Sequence, residues 1–173
     1  MGINLKQTKK IGIIGDVIID KYKYFKATKL SPEGPAPIVK ALSESVDLGG
    51  AANVAISLAN LGINLDLIIA DTKANESIQN LVNQTNNQNF IQLKKIDFNN
   101  QVKIPIKIRY YVDGKQFMRE DVEKNEFPKN DPIDDYFLEK NICDYELIII
   151  SDYQKGVISK NAIKKIITYC NVH

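Results

Sequence analysis

Short apolar runs recur along the chain, separated by amphipathic stretches. Ile11 to Ile14, Leu65-Asp-Leu-Ile-Ile-Ala70 and Leu147-Ile-Ile-Ile150 consist largely of leucine and isoleucine. Apolar runs this short predict strands buried on both faces. Between and after them, Ala51 to Leu61, Asn75 to Gln84, Pro132 to Asn141 and Ser159 to Tyr169 carry apolar residues at helical spacing. Buried strands alternating with helices predict an α/β fold, Rossmann-like, with a mostly parallel sheet flanked by helices.

Two regions alternate with a period of two instead. In Lys21-Tyr-Lys-Tyr24 the tyrosines fall on one side and the lysines on the other, and in Val102 to Val112 the side of Ile104, Ile106 and Ile108 opposes that of Lys103, Lys107 and Arg109. Asp113-Gly114 then supplies the residues of a tight hairpin turn, with Lys115 to Glu120 as the return strand. Strands with a wet side do not belong in a doubly buried sheet. They predict a small β lid formed from about residues 20–42 and 102–121, with Ser31-Pro-Glu-Gly-Pro-Ala-Pro37 as an irregular connection.

Composition narrows the function classes. A chain of 173 residues with 44% hydrophobic content fits one domain with a substantial core. Its 23 basic and 21 acidic residues leave a net charge of +2, so no broad field recruits nucleic acid or a membrane surface. Anion recognition must be local. Cys143 and Cys170 make no disulfide framework and are expected as buried, reduced thiols. With no apolar run near the ~20 residues of a membrane span and no signal-peptide core, a cytoplasmic location is expected.

The candidate chemistry gathers where ligands bind in open α/β sheets, beyond the carboxyl ends of the strands. The three apolar strands end on Asp16, Asp71 and Asp152. Asp71 is expected to cap the following helix. Asp16, with Asp20 four positions on, offers paired carboxylates for vicinal hydroxyls. Gly49-Gly50 leads into a helix of small residues, which allows close backbone approach to a ligand or simply tight packing, and Asn53 adds a donor and an acceptor. Lys107, Arg109 and Arg119 on the hairpin are either a solvated face or a phosphate clamp. Ser151-Asp152-Tyr-Gln-Lys155-Gly156 combines a carboxylate, a cation and a flexible glycine. Neither common phosphate-cradling glycine fingerprint occurs, and the single histidine, His173, makes a zinc site improbable.

In their order and spacing, Gly15-Asp16 with Asp20-Lys-Tyr22, Leu30-Ser-Pro-Glu-Gly-Pro-Ala-Pro-Ile-Val39, Gly49-Gly-Ala-Ala-Asn-Val-Ala55 and Ser151-Asp-Tyr-Gln-Lys-Gly156 resemble the ribokinase-like (PfkB) carbohydrate kinases. Within that family they are most similar to the D-glycero-D-manno-heptose 7-phosphate kinases. The resemblance runs from about Ile11 to the C-terminus and covers about the first half of a typical member. It implies a ribokinase-like fold whose β lid closes over the sugar and often pairs with a second lid. It implies that Asp16, Gly49, Gly50 and Asn53 hold sugar hydroxyls, that Asp152 contacts the sugar from the opposite strand end, and that Lys107, Arg109, Arg119 and Lys155 are candidates for the 7-phosphate. Gly34, where the heptose branch more often has alanine, and Pro105, where a small hydroxylic residue is usual, depart from the pattern.

Full-length members use ATP and Mg²⁺ and carry an aspartate base in a Gly-Ala-Gly-Asp segment, which this sequence lacks together with the Asn-x-x-Glu motif. The expectation is therefore a truncated, single ribokinase-like domain over residues 1–173: the sugar-phosphate-binding half of a kinase for ADP-heptose and lipopolysaccharide precursor supply. Alone it is expected to be inactive and to bind no nucleotide tightly. Its expected partners are the sugar phosphate and either a second copy through the lid or a chain supplying the C-terminal half. A non-catalytic sugar-phosphate-binding or dimerisation module, or a nonfunctional remnant, is the alternative.

Overall fold

A computed structural model describes residues 10–85, 88–98, 102–123 and 145–172. The apolar runs form a parallel sheet. Strands β1 (Lys10–Gly15), β4 (Leu65–Ala70), β5 (Ile91–Ile96) and β8 (Tyr145–Ser151) lie side by side in the order β5-β4-β1-β8. Alternation within each run sends side chains to both faces, as the pleat requires. Ile13, Leu65, Leu67 and Ile69 join one core with helix α1 (Ala51–Ala59) and helix α2 (Asn75–Asn83). Ile14, Ile68 and Ala70 join a second core with helix α3 (Lys160–Val172), through its Ala162 and Ile166. β1 and β4 lack polar alternation because both of their faces are largely covered.

Helix α1 owes its position to small side chains. Ala51, Ala52, Ala55 and Ala59 are all buried, so the helix lies close to the strands beneath it. Its entry is fixed by Gly50, whose φ of 60° is a left-handed conformation suited to glycine. A β-carbon there would also strike the carbonyl oxygen of Asp16.

The second sheet is the lid. Strands β2 (Val17–Leu30), β3 (Pro37–Gly50), β6 (Ile106–Val112) and β7 (Lys115–Val122) lie in the order β3-β2-β6-β7. β2 pairs antiparallel with β3 and parallel with β6, and β6 turns back antiparallel into β7. Positive φ at Asp113 (48°) and Gly114 (78°) makes the expected hairpin turn. Because β2 follows Asp16 directly, the lid rises from the carboxyl end of the parallel sheet.

Several elements differ from the sequence expectation. The lid strands β2 and β3 run for 14 residues each, well beyond residues 20–42. Most of β3 is exposed, so its Val39-Lys-Ala-Leu-Ser-Glu-Ser-Val46 had no buried face to impose a pattern. β6 starts at Ile106, not Val102, since Pro105 has no amide to give a ladder and its carbonyl instead receives the Ile19 amide at 2.9 Å. β5 was not anticipated, because Gln92, Lys94 and Lys95 dilute its apolar signal. β8 is only partly buried, with Leu147 half exposed at the end of the described sheet order. Cys170 is exposed on α3 rather than buried; Cys143 and the helix expected over residues 132–141 lie outside the described residues.

Candidate functional site

Strand register gathers the charged residues on one face of the lid. Asp20 stands opposite Asp47 on β3 and Lys107 on β6, Tyr22 opposite Arg109, and Arg109 and Lys107 opposite Arg119 and Asp121 on β7. Paired residues in a sheet share a side, so Asp20, Lys107, Arg109, Arg119 and Asp121 form one polar face. Ile19, Ile106 and Ile108 belong to the other. The period of two read from the sequence is the cause.

On this face acids hold most of the cations. Arg109 Nη1 donates to Asp20 Oδ1 at 2.5 Å, and its guanidinium lies 5.3 Å from the centre of the Tyr22 ring. Tyr24 and Tyr111 stack alongside, with centroids 5.4 Å apart. Arg119 forms a two-bonded pair with Asp121, Nε to Oδ1 at 2.7 Å and Nη2 to Oδ2 at 2.5 Å. That pairing holds the Asp121 carboxyl below its ordinary pKa of 3.8 and raises that of Arg119. The hydrogen bond from Arg109 to Asp20 likewise raises the Arg109 pKa. Among the described residues Lys107 makes no ion pair.

Opposite this face lies the segment after β8. Lys155 Nζ reaches Glu123 Oε2, just beyond β7, at 2.7 Å, which ties that segment to the lid. Asp152 is exposed, and its Oδ1 accepts the Gln154 amide at 2.7 Å. The chain turns through positive φ at Gln154 (58°) and Gly156 (101°). This turn converges on Asp16. Its Oδ2 accepts the amides of Tyr153 at 2.8 Å and Lys155 at 3.0 Å, and its Oδ1 accepts that of Val157 at 3.1 Å.

Asp16 is only 1% exposed. Its carboxylate, expected to hold sugar hydroxyls, thus has three internal donors as partners. Burial raises its pKa above 3.8, and the three amides pull the other way without cancelling the shift. Its backbone is equally engaged, donating to the Ser151 carbonyl at 3.1 Å and accepting from Ala51 at 2.9 Å.

The remaining predicted residues sit around these two centres. Gly49 lies beside Asp20, and a β-carbon on it would strike Asp20 Oδ2. The glycine therefore makes room for a carboxylate as well as for α1. Asn53 is exposed in the first turns of α1, two residues beyond the amide that Asp16 receives. Asp71, expected as a helix cap, accepts the Asn75 side-chain amide at 2.8 Å, and the Ala74 amide turns to Thr72 Oγ1 at 3.2 Å. Asp47, Asp121 and Glu123 were not singled out from the sequence. The two-residue offset of Arg119 and Asp121 on a predicted strand was the available signal for one of them.

A pocket of about 610 Å³ opens at the base of the lid, lined by Ile19, Ile104, Ile106, Lys73 and Lys103 among others. It lies on the apolar side of the lid, whereas the charged groups share the opposite side.

No family model matches the chain. In sequence it is 34% identical to the bifunctional protein HldE of Aliarcobacter butzleri, over 96% of this chain and 35% of that protein. It is 33% identical to HldE of Helicobacter pylori (strain Shi470), over 95% of this chain and 36% of that protein. The chain therefore spans about a third of the length of the curated relatives it matches. In structure it resembles phosphofructokinase-2 of Escherichia coli in complex with fructose-6-phosphate, at a TM-score of 0.61 and 15% identity over 95% of this chain and 52% of that one. A phosphofructokinase-like protein of Staphylococcus aureus gives a TM-score of 0.63 at 15% identity, over 92% and 49% of the two chains. The fold is therefore the ribokinase-like one, and in sequence the chain is similar to part of HldE.

Proposed function

We propose that the charged face of the lid and the segment after β8 form the sugar-phosphate site of a kinase acting on D-glycero-D-manno-heptose 7-phosphate at its anomeric hydroxyl. The observation that carries this reading is the register that aligns Lys107, Arg109 and Arg119 on one lid face, the face of Asp20. Arginine forks and a lysine point charge suit a phosphate, and a carboxylate beside a glycine suits hydroxyls. Asp20, Gly49, Gly50 and Asn53 would meet the sugar from one side and Asp152 from the other. Lys155, now held by Glu123, would add a cation from the segment after β8.

The internal ion pairs define how binding would proceed. A phosphate dianion competes with Asp20 and Asp121 for their arginines, and it meets Lys107 with no such competitor among the described residues. A bidentate phosphate contact is a strong charge-assisted bond, and the exposed Arg119 pair is the easier one to displace, since surface ion pairs contribute little. Asp20, once released from Arg109, is free to accept sugar hydroxyls.

ATP and Mg²⁺ belong to this family's chemistry, in which the nucleotide supplies the transferred phosphoryl group. Among the described residues no three His, Cys, Asp or Glu side chains converge to hold a metal. Lys107, Arg109 and Arg119 beside Asp20 fit a sugar phosphate. Calorimetry on the 173-residue chain, titrated separately with heptose 7-phosphate and with ATP, tests the reading. Binding of the sugar phosphate is expected; absence of that binding would remove it.

A further inference from the structure

The segment after β8 has the build of an anion nest. Its left-handed residues, Gln154 and Gly156, turn the alternate amides of Tyr153, Lys155 and Val157 toward one point, as in backbone nests that elsewhere receive phosphates and other anions. Here the anion is internal. The Asp16 carboxylate fills the nest with bonds from Tyr153, Lys155 and Val157, while Gln154 is taken by Asp152. Asp16, Gly156 and Val157 are buried, whereas Tyr153 and Gln154 are exposed.

We infer that Asp16 is a positioning residue: its carboxylate fills the amide nest of residues 153–157 and so fixes Asp152 and Lys155 for the sugar phosphate, without touching the ligand itself. The inference rests on the proposed function for the identity of the ligand, but the nest and its occupant do not. The geometry gives a reason for each part. Burying a carboxylate is costly unless it is hydrogen-bonded, and three amides on two oxygens satisfy it. Leaving those amides without an acceptor would in turn free a turn that needs positive φ at the non-glycine Gln154.

The consequence reaches the lid. Lys155 offers its backbone amide to Asp16 and its ammonium to Glu123, beyond the end of β7. Asp16 itself sits at the base of β2, between the parallel sheet and the lid. One residue therefore joins the start of the lid, the first turn of α1 through its backbone carbonyl, and the turn that carries Lys155 through its carboxylate. A shape-conserving Asp16→Asn substitution would leave two donors facing the amides of the nest, since an amide side chain has only one acceptor oxygen.

Amide exchange of the ¹⁵N-labelled 173-residue chain, read residue by residue with heptose 7-phosphate affinity measured beside it, tests this. In Asp16→Asn, protection at Tyr153, Lys155 and Val157 is expected to fall about tenfold, the scale of one lost bond to a charged group. Protection at Ile13 and Ile68 should hold, and affinity should fall. Asp16→Asn and Asp152→Ala should combine to less than the product of their separate effects. Weakened binding with unchanged exchange at the three amides would make Asp16 a direct ligand contact and overturn the inference, as would unchanged exchange and unchanged binding. If Asp16 variants fail to fold, the wild-type chain decides: the three amide resonances should follow one carboxyl titration, and independent behaviour overturns the inference. A wild-type chain that binds no heptose 7-phosphate removes the proposed function, while the exchange result still shows whether Asp16 organises the turn.

Discussion

The two four-stranded sheets differ in what their side chains face. In the parallel sheet Ile13, Ile14, Leu67, Ile68 and Ile69 are fully buried, while every residue of β7 in the lid is exposed and every residue of β6 is only partly covered. Apolar burial contributes roughly 25 cal/mol per Å², so the first sheet holds the fold and the second contributes little to it. The lid keeps its form through long register, through tyrosine stacking along Tyr22, Tyr24 and Tyr111, and through a buried foot at Ile19 and Leu48. Freed from a core, its surface can be charged. The parallel sheet positions and the lid presents.

The largest effects should separate the sheets by stability. Ile68→Ala removes a fully buried side chain between strands and α3 and should cost about 2–5 kcal/mol. Val46→Ala, on the exposed part of β3, should cost under about 0.5 kcal/mol. Urea denaturation of both variants checks this, and equal losses would break the distinction.

The next effect concerns Gly49, where the lid foot meets α1. Gly49→Ala places a methyl group against the Asp20 carboxylate and should dislodge Asp20 from Arg109. A stability loss of about 1–3 kcal/mol is expected from the overpacking, together with weaker sugar-phosphate binding. A melting curve and a titration of the same variant measure both. Normal binding would detach the glycine from the site.

How much was legible in the sequence follows the same division. Ile11 to Ile14 and Leu65 to Ala70 declared themselves because burial on two faces leaves no polar position. The hairpin declared itself through Asp113-Gly114 and the alternation of Lys107 and Arg109 with Ile106 and Ile108. β3 did not, since a strand wet on both sides needs no hydrophobic pattern. The role of Asp16 was hidden for a related reason. Its amide partners lie 137 to 141 residues away, and any residue type can supply a backbone amide.

The smallest expected effect is electrostatic. Buried Asp16 keeps its proton to a higher pH than in the unfolded chain, so the folded state binds more protons there and Asp16's contribution to stability declines as pH rises from 3.8 through its raised value. Asp121, held low by Arg119, acts in the opposite sense: its contribution is present above 3.8 and is lost as pH falls through its lowered value. Carboxyl ¹³C titration should place Asp16 above and Asp121 below that ordinary value. The reverse order would contradict the contrast between a buried carboxylate at the sheet and a paired one on the lid.

In the proposed function one face of the lid, and not the other, grips a sugar phosphate. Titration calorimetry with heptose 7-phosphate on the wild-type chain, Lys107→Ala and Lys21→Ala tests it most directly, because register puts the two lysines on opposite faces of the same sheet. The wild type should bind, Lys107→Ala should bind about tenfold more weakly, as for loss of a charged hydrogen bond, and Lys21→Ala should keep an unchanged affinity. Equal affinities in all three proteins, or equal losses in both variants, would contradict it.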